Sequence, residues 1–102
     1  MSRFRLSRQA SADIRAIWDY LGVAKDDPTA AHRQVETLFE RFQLLATHPL
    51  MGQSREDLRS GLRAFAAGSY VILYYPMKDG IQVAGVVHGA RDIESMFERG
   101  ER

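Results

Sequence analysis

No cysteine occurs in the 102 residues. The chain therefore has no disulfide frame and no thiolate metal site, as expected in a reducing compartment. Net charge is almost missing too: 14 cationic against 13 anionic side chains leave +1. That excludes a chain that holds nucleic acid through a wholly basic surface. Long apolar runs are also missing. The longest uncharged stretch, Ala64 to Met77, contains Gly68, Ser69 and several tyrosines, and it falls short of the roughly 20 residues that span a bilayer. Met1–Leu6 carries two arginines, but no apolar segment follows as a secretory signal would require. A cytoplasmic protein without a membrane partner is the expectation. Lysine is scarce, with Lys25 and Lys78 the only two among the 14 cations. Arginine's planar fork suits carboxylate and phosphate, although a GC-rich genome produces the same bias.

What is present fits one domain over residues 1–102, with 45% hydrophobic residues to fill its core. Phe4 and Leu6 alternate with Arg3 and Arg5, so Met1–Leu6 suits a short strand. Ser7 is placed to cap a helix over about Arg8–Leu21, in which Ala10, Ile14, Ile17, Trp18 and Leu21 keep helical spacing. Gly22 sits where a helix end favours a left-handed residue. Asp27-Pro28 starts a second helix of about 20 residues, striped by Ala31, Val35, Leu38, Phe39, Phe42, Leu45 and Ala46. It stops before His48-Pro49, because a residue preceding proline avoids helical angles. The short link makes the two helices an antiparallel hairpin.

Leu50–Ser60 reads as a polar loop with one possible helical turn at Arg55–Leu58. Leu62–Ala67 alternates as a strand, Gly68-Ser69 turns, and Tyr70–Tyr75 is apolar enough for a central strand buried on both faces. Pro76 is expected to end it. Lys78-Asp79-Gly80 turns the chain into a strand over Ile81–His88. Arg91–Glu98 closes as a short helix held by Ile93, Met96 and Phe97. The class is α+β: an N-terminal strand, a helical hairpin, a three-stranded antiparallel meander completing one sheet, and a short C-terminal helix.

Several groups of residues match one family in order and at compatible spacing. They are Ala10, Asp13, Ile14, Ile17 and Tyr20, then Pro28-Thr-Ala-Ala31, then Phe42, Leu45, Pro49 and Gly52. The most specific are Leu58-Arg-Ser-Gly-Leu-Arg63, Gly68-Ser-Tyr70, Tyr74 and Val86-Val-His-Gly-Ala-Arg-Asp92. Over nearly the whole chain this resembles the RelE/ParE superfamily of bacterial toxins, and within it the ParE branch. The resemblance implies a type II toxin that inhibits DNA gyrase by binding and serves plasmid stabilisation. A ParD-like antitoxin would neutralise it. The toxin alone would make no direct DNA contact, and a homodimer or a higher toxin–antitoxin assembly is left open. It implies no cofactor. The RNA-cutting RelE branch typically carries a lysine and arginine cluster with a tyrosine or histidine near the last strand. Here Lys78 is the one lysine of the second half and no tyrosine follows Tyr75. A ribosome-dependent mRNA endonuclease is the alternative, and an inactive toxin that only binds its antitoxin is a third.

Candidate residues follow. Binding needs no catalytic group; RNA cleavage would need His88 as base, with Arg63 and Arg91 steadying the phosphate. Arg59, Arg63 and Arg91 are the target-binding candidates, since arginine concentrates at energetic centres of interfaces. The competing reading pairs them with Glu56, Asp57 or Asp92. Ile14, Trp18, Leu21, Val35 and Phe39 are candidates for a groove that takes an antitoxin helix, although core is the simpler reading for any one of them. His32 and Glu36 stand one helical turn apart, and His32 and His48 lack metal-ligand spacing. Both histidines are expected at the surface.

Overall fold

A computed structural model describes residues 2–89, 91–98 and 100. The chain runs β1 (Arg3–Leu6), α1 (Arg8–Asp19), a π-helical turn (Tyr20–Ala24), α2 (Pro28–Thr47), β2 (Gln53–Ser54), β3 (Arg63–Ala67), β4 (Tyr70–Met77), β5 (Gly80–His88) and α3 (Ile93–Glu98). The sheet has the order β1-β5-β4-β3-β2. Strand β1 is parallel to β5, and the other neighbours are antiparallel.

The helix starts are those that the sequence specifies. The Ser7 side chain accepts the Ala10 N–H, and the Asp27 side chain accepts the Ala30 N–H with Pro28 in the first turn. The end of the first helix differs from expectation. Gly22 is not a left-handed terminus. The helix continues into a wider turn, where the Lys25 N–H reaches the Tyr20 carbonyl at 2.9 Å. The left-handed residue is Asp26, at φ 50°. A Cβ on Gly22 would stand 3.5 Å from the Ala31 Cβ, so Gly22 serves close packing of the two helices.

Three strand boundaries also move. Pro76 does not end β4, which runs on to Met77. Strand β3 pairs with β4 only as far as Tyr74, so beyond it Pro76 lies on a locally open edge, where a missing N–H costs little. Strand β2 falls within the segment expected as loop, and its two residues pair with Arg63 and Ala64. Strand β3 begins at Arg63 rather than Leu62, and the described part of β1 begins at Arg3, with Met1 outside the described residues. Helix α3 is shorter than Arg91–Glu98, because the Asp92 carboxylate accepts the Ser95 N–H and so sets its start.

The sheet is covered on both faces. Ile72, Tyr74, Ile81 and Val83 face the hairpin and meet Ala10, Ile17, Leu38, Phe42 and Leu45. Leu62, Leu73 and Val87 face the other way and meet Met96 and Phe97. Each fully buried large side chain contributes about 1.5–3 kcal/mol. The β4–β5 register breaks between Leu73 and Tyr74. There the first helix takes over from β1: Ser7 Oγ donates to the Ala84 carbonyl, and the Val86 N–H donates to Asp13 Oδ2 at 2.9 Å. Gly80 is required where the strands meet. It has φ +152°, and a Cβ there would lie 1.7 Å from the Arg3 carbonyl oxygen.

Candidate functional site

The end of α1, the start of α2 and the β4–β5 strand ends enclose an open cleft of about 530 Å³. Ile17, Leu21 and Val86 supply apolar lining, while Asp13, Tyr70, His88 and Arg91 supply polar groups. Tyr70 and His88 are cross-strand partners, ring edge to ring face, with centroids 5.6 Å apart. Burial pushes the Tyr70 phenol above its ordinary value, and nearby Tyr20 adds to the shift. A phenol is protonated at neutral pH in any case, so the Tyr70 hydroxyl can donate.

Arg63 belongs elsewhere. It pairs with Tyr74 across β3–β4, whereas His88 pairs with Tyr70. At about 3.3 Å per residue those positions are roughly 13 Å apart along β4. Arg63 Nε donates to the Gly52 carbonyl at 2.9 Å, and its Nη2 donates to the Leu50 carbonyl at 3.1 Å. Buried Tyr74 works on the same loop: its hydroxyl donates to the Pro49 carbonyl at 2.7 Å and accepts the Gly52 N–H at 2.9 Å. A Cβ on Gly52 would fall 2.5 Å from that hydroxyl, so only glycine fits. The loop is thus pinned from both sides while Leu50 and Met51 stay 70% and 46% exposed. The structure brings His88 and Arg91 together and leaves Arg63 out, contrary to the trio that RNA cleavage would need.

Arg59 lies on the α3 face, its guanidinium carbon 5.0 Å from the Phe97 ring centre. The carboxylates Asp57 and Glu94 pair with Arg55, not with Arg59. The hydrogen bonds from Arg55 to Asp57 hold the Asp57 carboxyl below its ordinary range and raise the Arg55 guanidinium. Glu56 accepts the Gly61 N–H. Asp92 caps α3. The acids named as alternative partners for Arg59 and Arg63 are therefore engaged with other groups.

The five groove candidates lie at helical spacing, Ile14, Trp18 and Leu21 on the first helix and its π turn, Val35 and Phe39 on α2. Ile14 and Leu21 are half-buried against the core, and Val35 is half-buried. Trp18 is 40% and Phe39 37% exposed, which corrects the expectation that Trp18 is core. The core-facing stripe of the first helix is Ala10, Ile14 and Ile17; Trp18 is rotated about 100° from Ile17 and turns toward α2. There its ring meets His32 edge-on at 6.3 Å. His32 is exposed and 3.4 Å from Glu36, and His48 is exposed. Among the described residues, no cluster of three or more histidine or acidic side chains is arranged to hold a metal.

Sequence reasoning missed the roles of Asp13 and Tyr74. A carboxylate between Ala10, Ile14 and Ile17 was the available signal for Asp13: an acid beside an apolar stripe needs a donor. Tyr74 gave none, because a tyrosine in an apolar strand does not show where its hydroxyl points.

A helical hairpin on a five-stranded mixed sheet, with a pinned loop and an apolar seam, defines a small α+β domain. Residues 4–93 match the family model described as ParE toxin of type II toxin-antitoxin system, parDE. The chain belongs to that family. It is 38% identical over 88 residues to Toxin ParE1 of Caulobacter vibrioides, covering 86% of this chain and 90% of that protein. It is 30% identical over 96 residues to Toxin ParE1 of Mycobacterium tuberculosis strain CDC 1551 / Oshkosh, covering 91% and 95%. A chain from the chromosomal ParDE TA system of P. aeruginosa shares the fold, with TM-score 0.71 and 22% identity over 86% of this chain and 96% of that one.

Proposed function

We propose that this ParE-family toxin inhibits DNA gyrase by binding and is neutralised by a ParD-like antitoxin encoded beside it. The antitoxin lays a helix along the seam of Ile14, Trp18, Leu21, Val35 and Phe39, where Trp18 and Phe39 offer the exposed aromatic surface. Arg59 and Arg91 are the candidate contacts to the target, with Arg63 holding the loop that presents Leu50 and Met51. The site of action is the cytoplasm, and stabilisation of a plasmid is one biological role that fits.

The observation that favours binding over RNA cleavage is the separation of Arg63 from His88. A phosphoryl transfer centre needs its base and its cationic stabilisers around one phosphorus; of the two candidate arginines only Arg91 shares the cleft with His88, and the Arg63 guanidinium is committed to the Gly52 and Leu50 carbonyls. The test is induced expression scored in parallel for cleaved-DNA complexes and for cut messages. Gyrase-dependent DNA breaks with an SOS response and intact messages are expected. Rapid message cleavage without DNA breaks would overturn the reading in favour of the endonuclease. Growth without either lesion, with antitoxin binding retained, would mark an inactive toxin.

A further inference from the structure

Among the described residues strand β1 is an edge of the sheet, with β5 on one side only. The Arg3 N–H donates to the Asp79 carbonyl and the Ser7 N–H to the Val83 carbonyl. Alternation along a parallel strand then turns the N–H and C=O groups of Phe4 and Leu6 away from β5. Among the described residues no hydrogen bond reaches these outward groups; the nearby contact is Gln43 Nε2 donating to the Ser2 carbonyl. Such an unpaired row is a template for another strand.

The side chains flanking the row are sorted by face. On the hairpin side Phe4 packs against Phe39 at 5.8 Å and Phe42 at 5.4 Å between ring centres. Phe42 is buried, whereas Phe39 is 37% exposed, so the aromatic cluster beside the edge strand keeps an open apolar face. On the opposite face stand exposed Arg3 and Arg5. Arg3 shares its charge with Asp79, 3.1 Å away. Among the described residues no carboxylate lies within ion-pair distance of Arg5.

We propose that the β1 edge accepts an extended protein segment as a sixth strand, one in which apolar residues alternate with acidic ones. Its backbone pairs with Phe4 and Leu6. Its apolar side chains cover Phe4, Leu6 and Phe39, and its carboxylates sit beside Arg3 and Arg5. Backbone pairing supplies the affinity and the alternation supplies the selectivity. This surface meets the helix seam only at Phe39, its backbone row lies on β1, and it does not depend on which target the toxin has.

The probe is a capped heptapeptide, Glu-Val-Glu-Ile-Glu-Val-Glu, titrated into the full-length isotopically labelled protein. The expected result is exchange protection of the Phe4 and Leu6 amides raised at least about tenfold at saturation, because they acquire strand partners. Binding should weaken with salt. A peptide N-methylated at the residues facing β1 should not bind, and this control requires no protein variant. Arg5→Glu, at an exposed position, should weaken the acidic peptide about tenfold and favour a lysine-substituted one. Equal binding of the N-methylated peptide would overturn the proposal. So would chemical-shift changes confined to the Trp18 seam. Concentration-dependent protection of Phe4 and Leu6 in the peptide-free protein would overturn it too, by assigning the edge to a second copy of the chain.

Discussion

Tyr74→Phe removes one oxygen atom and nothing else. That oxygen is buried with its ring, donates to the Pro49 carbonyl at 2.7 Å and accepts the Gly52 N–H at 2.9 Å. Each hydrogen bond contributes about 0.5–1.5 kcal/mol net, and a buried donor left without an acceptor costs about 1–3 kcal/mol. Gly52 is itself buried, so water does not readily replace the lost acceptor. The Pro49 carbonyl is half-buried and recovers part of its loss through solvent. The combined cost is about 2–3 kcal/mol. In a domain of this size 1 kcal/mol lowers Tm by about 4–8 °C, so a fall of about 8–24 °C is expected. Thermal and urea unfolding give the stability change, and amide exchange at Gly52 localises it. Arg63 still grips the Gly52 and Leu50 carbonyls, so the loop should loosen without detaching. A stability change below about 0.5 kcal/mol with unchanged Gly52 protection would refute the claim that the tyrosine hydroxyl pins this loop.

Other expectations follow from the same contacts. Asp13→Ala strips the acceptor from the Val86 N–H and should destabilise by about 1–3 kcal/mol in urea melts, whereas Asp13→Asn, which keeps an oxygen, should cost less. Trp18→Ala should cost less than the roughly 3–5 kcal/mol of a fully buried aromatic, because Trp18 is 40% exposed, and should weaken antitoxin binding by about tenfold or more in calorimetry. His88→Ala should leave growth inhibition largely intact while Arg91→Ala weakens it, provided both variants stay folded and bind the antitoxin; a nuclease would instead lose about 100-fold or more with its base. The Arg55–Asp57 pair should show the sign of a lowered carboxylate pKa: its contribution is present above the unfolded carboxyl value and lost as pH falls through the folded one. Arg55→Ala should therefore destabilise slightly at pH 7 and by less at pH 3, and salt should shrink the effect because the carboxylate is exposed.

Legibility in the sequence followed the range of each interaction. The helix starts at Ser7 and Asp27 were readable because a cap is a contact between residues three apart. The buried central strand was readable because both its faces are apolar. Where a boundary depended on a distant neighbour, local reasoning failed. Pro76 breaks a strand only if partners flank it on both sides, and β3 stops short of it. Gln53–Ser54 carries no strand signal of its own; Arg63 and Ala64 impose one. Gly22 looked like a terminus, yet Ala31 on the facing helix needed the space. The same limit applied to the candidate site. His88 and Arg91 are near in sequence and share a cleft, but Arg63 was grouped with them by residue type alone, and only the pairing register shows which carbonyls it holds.

The exposed apolar side chains have an organisation that no single segment of sequence reveals. The hairpin runs out and back along the sheet, so Trp18, Tyr20 and Val23 gather at the end where Tyr70 and His88 stand, while Leu50, Met51 and Met77 gather at the end where α2 stops and β4 turns into β5. The first group lies on helices and the π turn that joins them. The second lies on a loop fixed by Tyr74 and Arg63 and on the adjoining strand end. The proposed function requires the toxin to be held by an antitoxin and, once released, to hold a target. Helical side chains at regular spacing suit a helical antitoxin segment, and a pinned apolar loop suits a rigid protein surface because little ordering entropy remains to be lost on contact. Two such surfaces at opposite ends do not have to overlap. If they are used separately, neutralisation cannot work by simple occlusion of the loop end and must operate by sequestration in an assembly or by changing the loop through the sheet. Substitutions at Leu50 or Met51 that abolish toxicity and leave antitoxin affinity unchanged would establish that division; equal loss of both would show that one partner covers the whole length of the molecule.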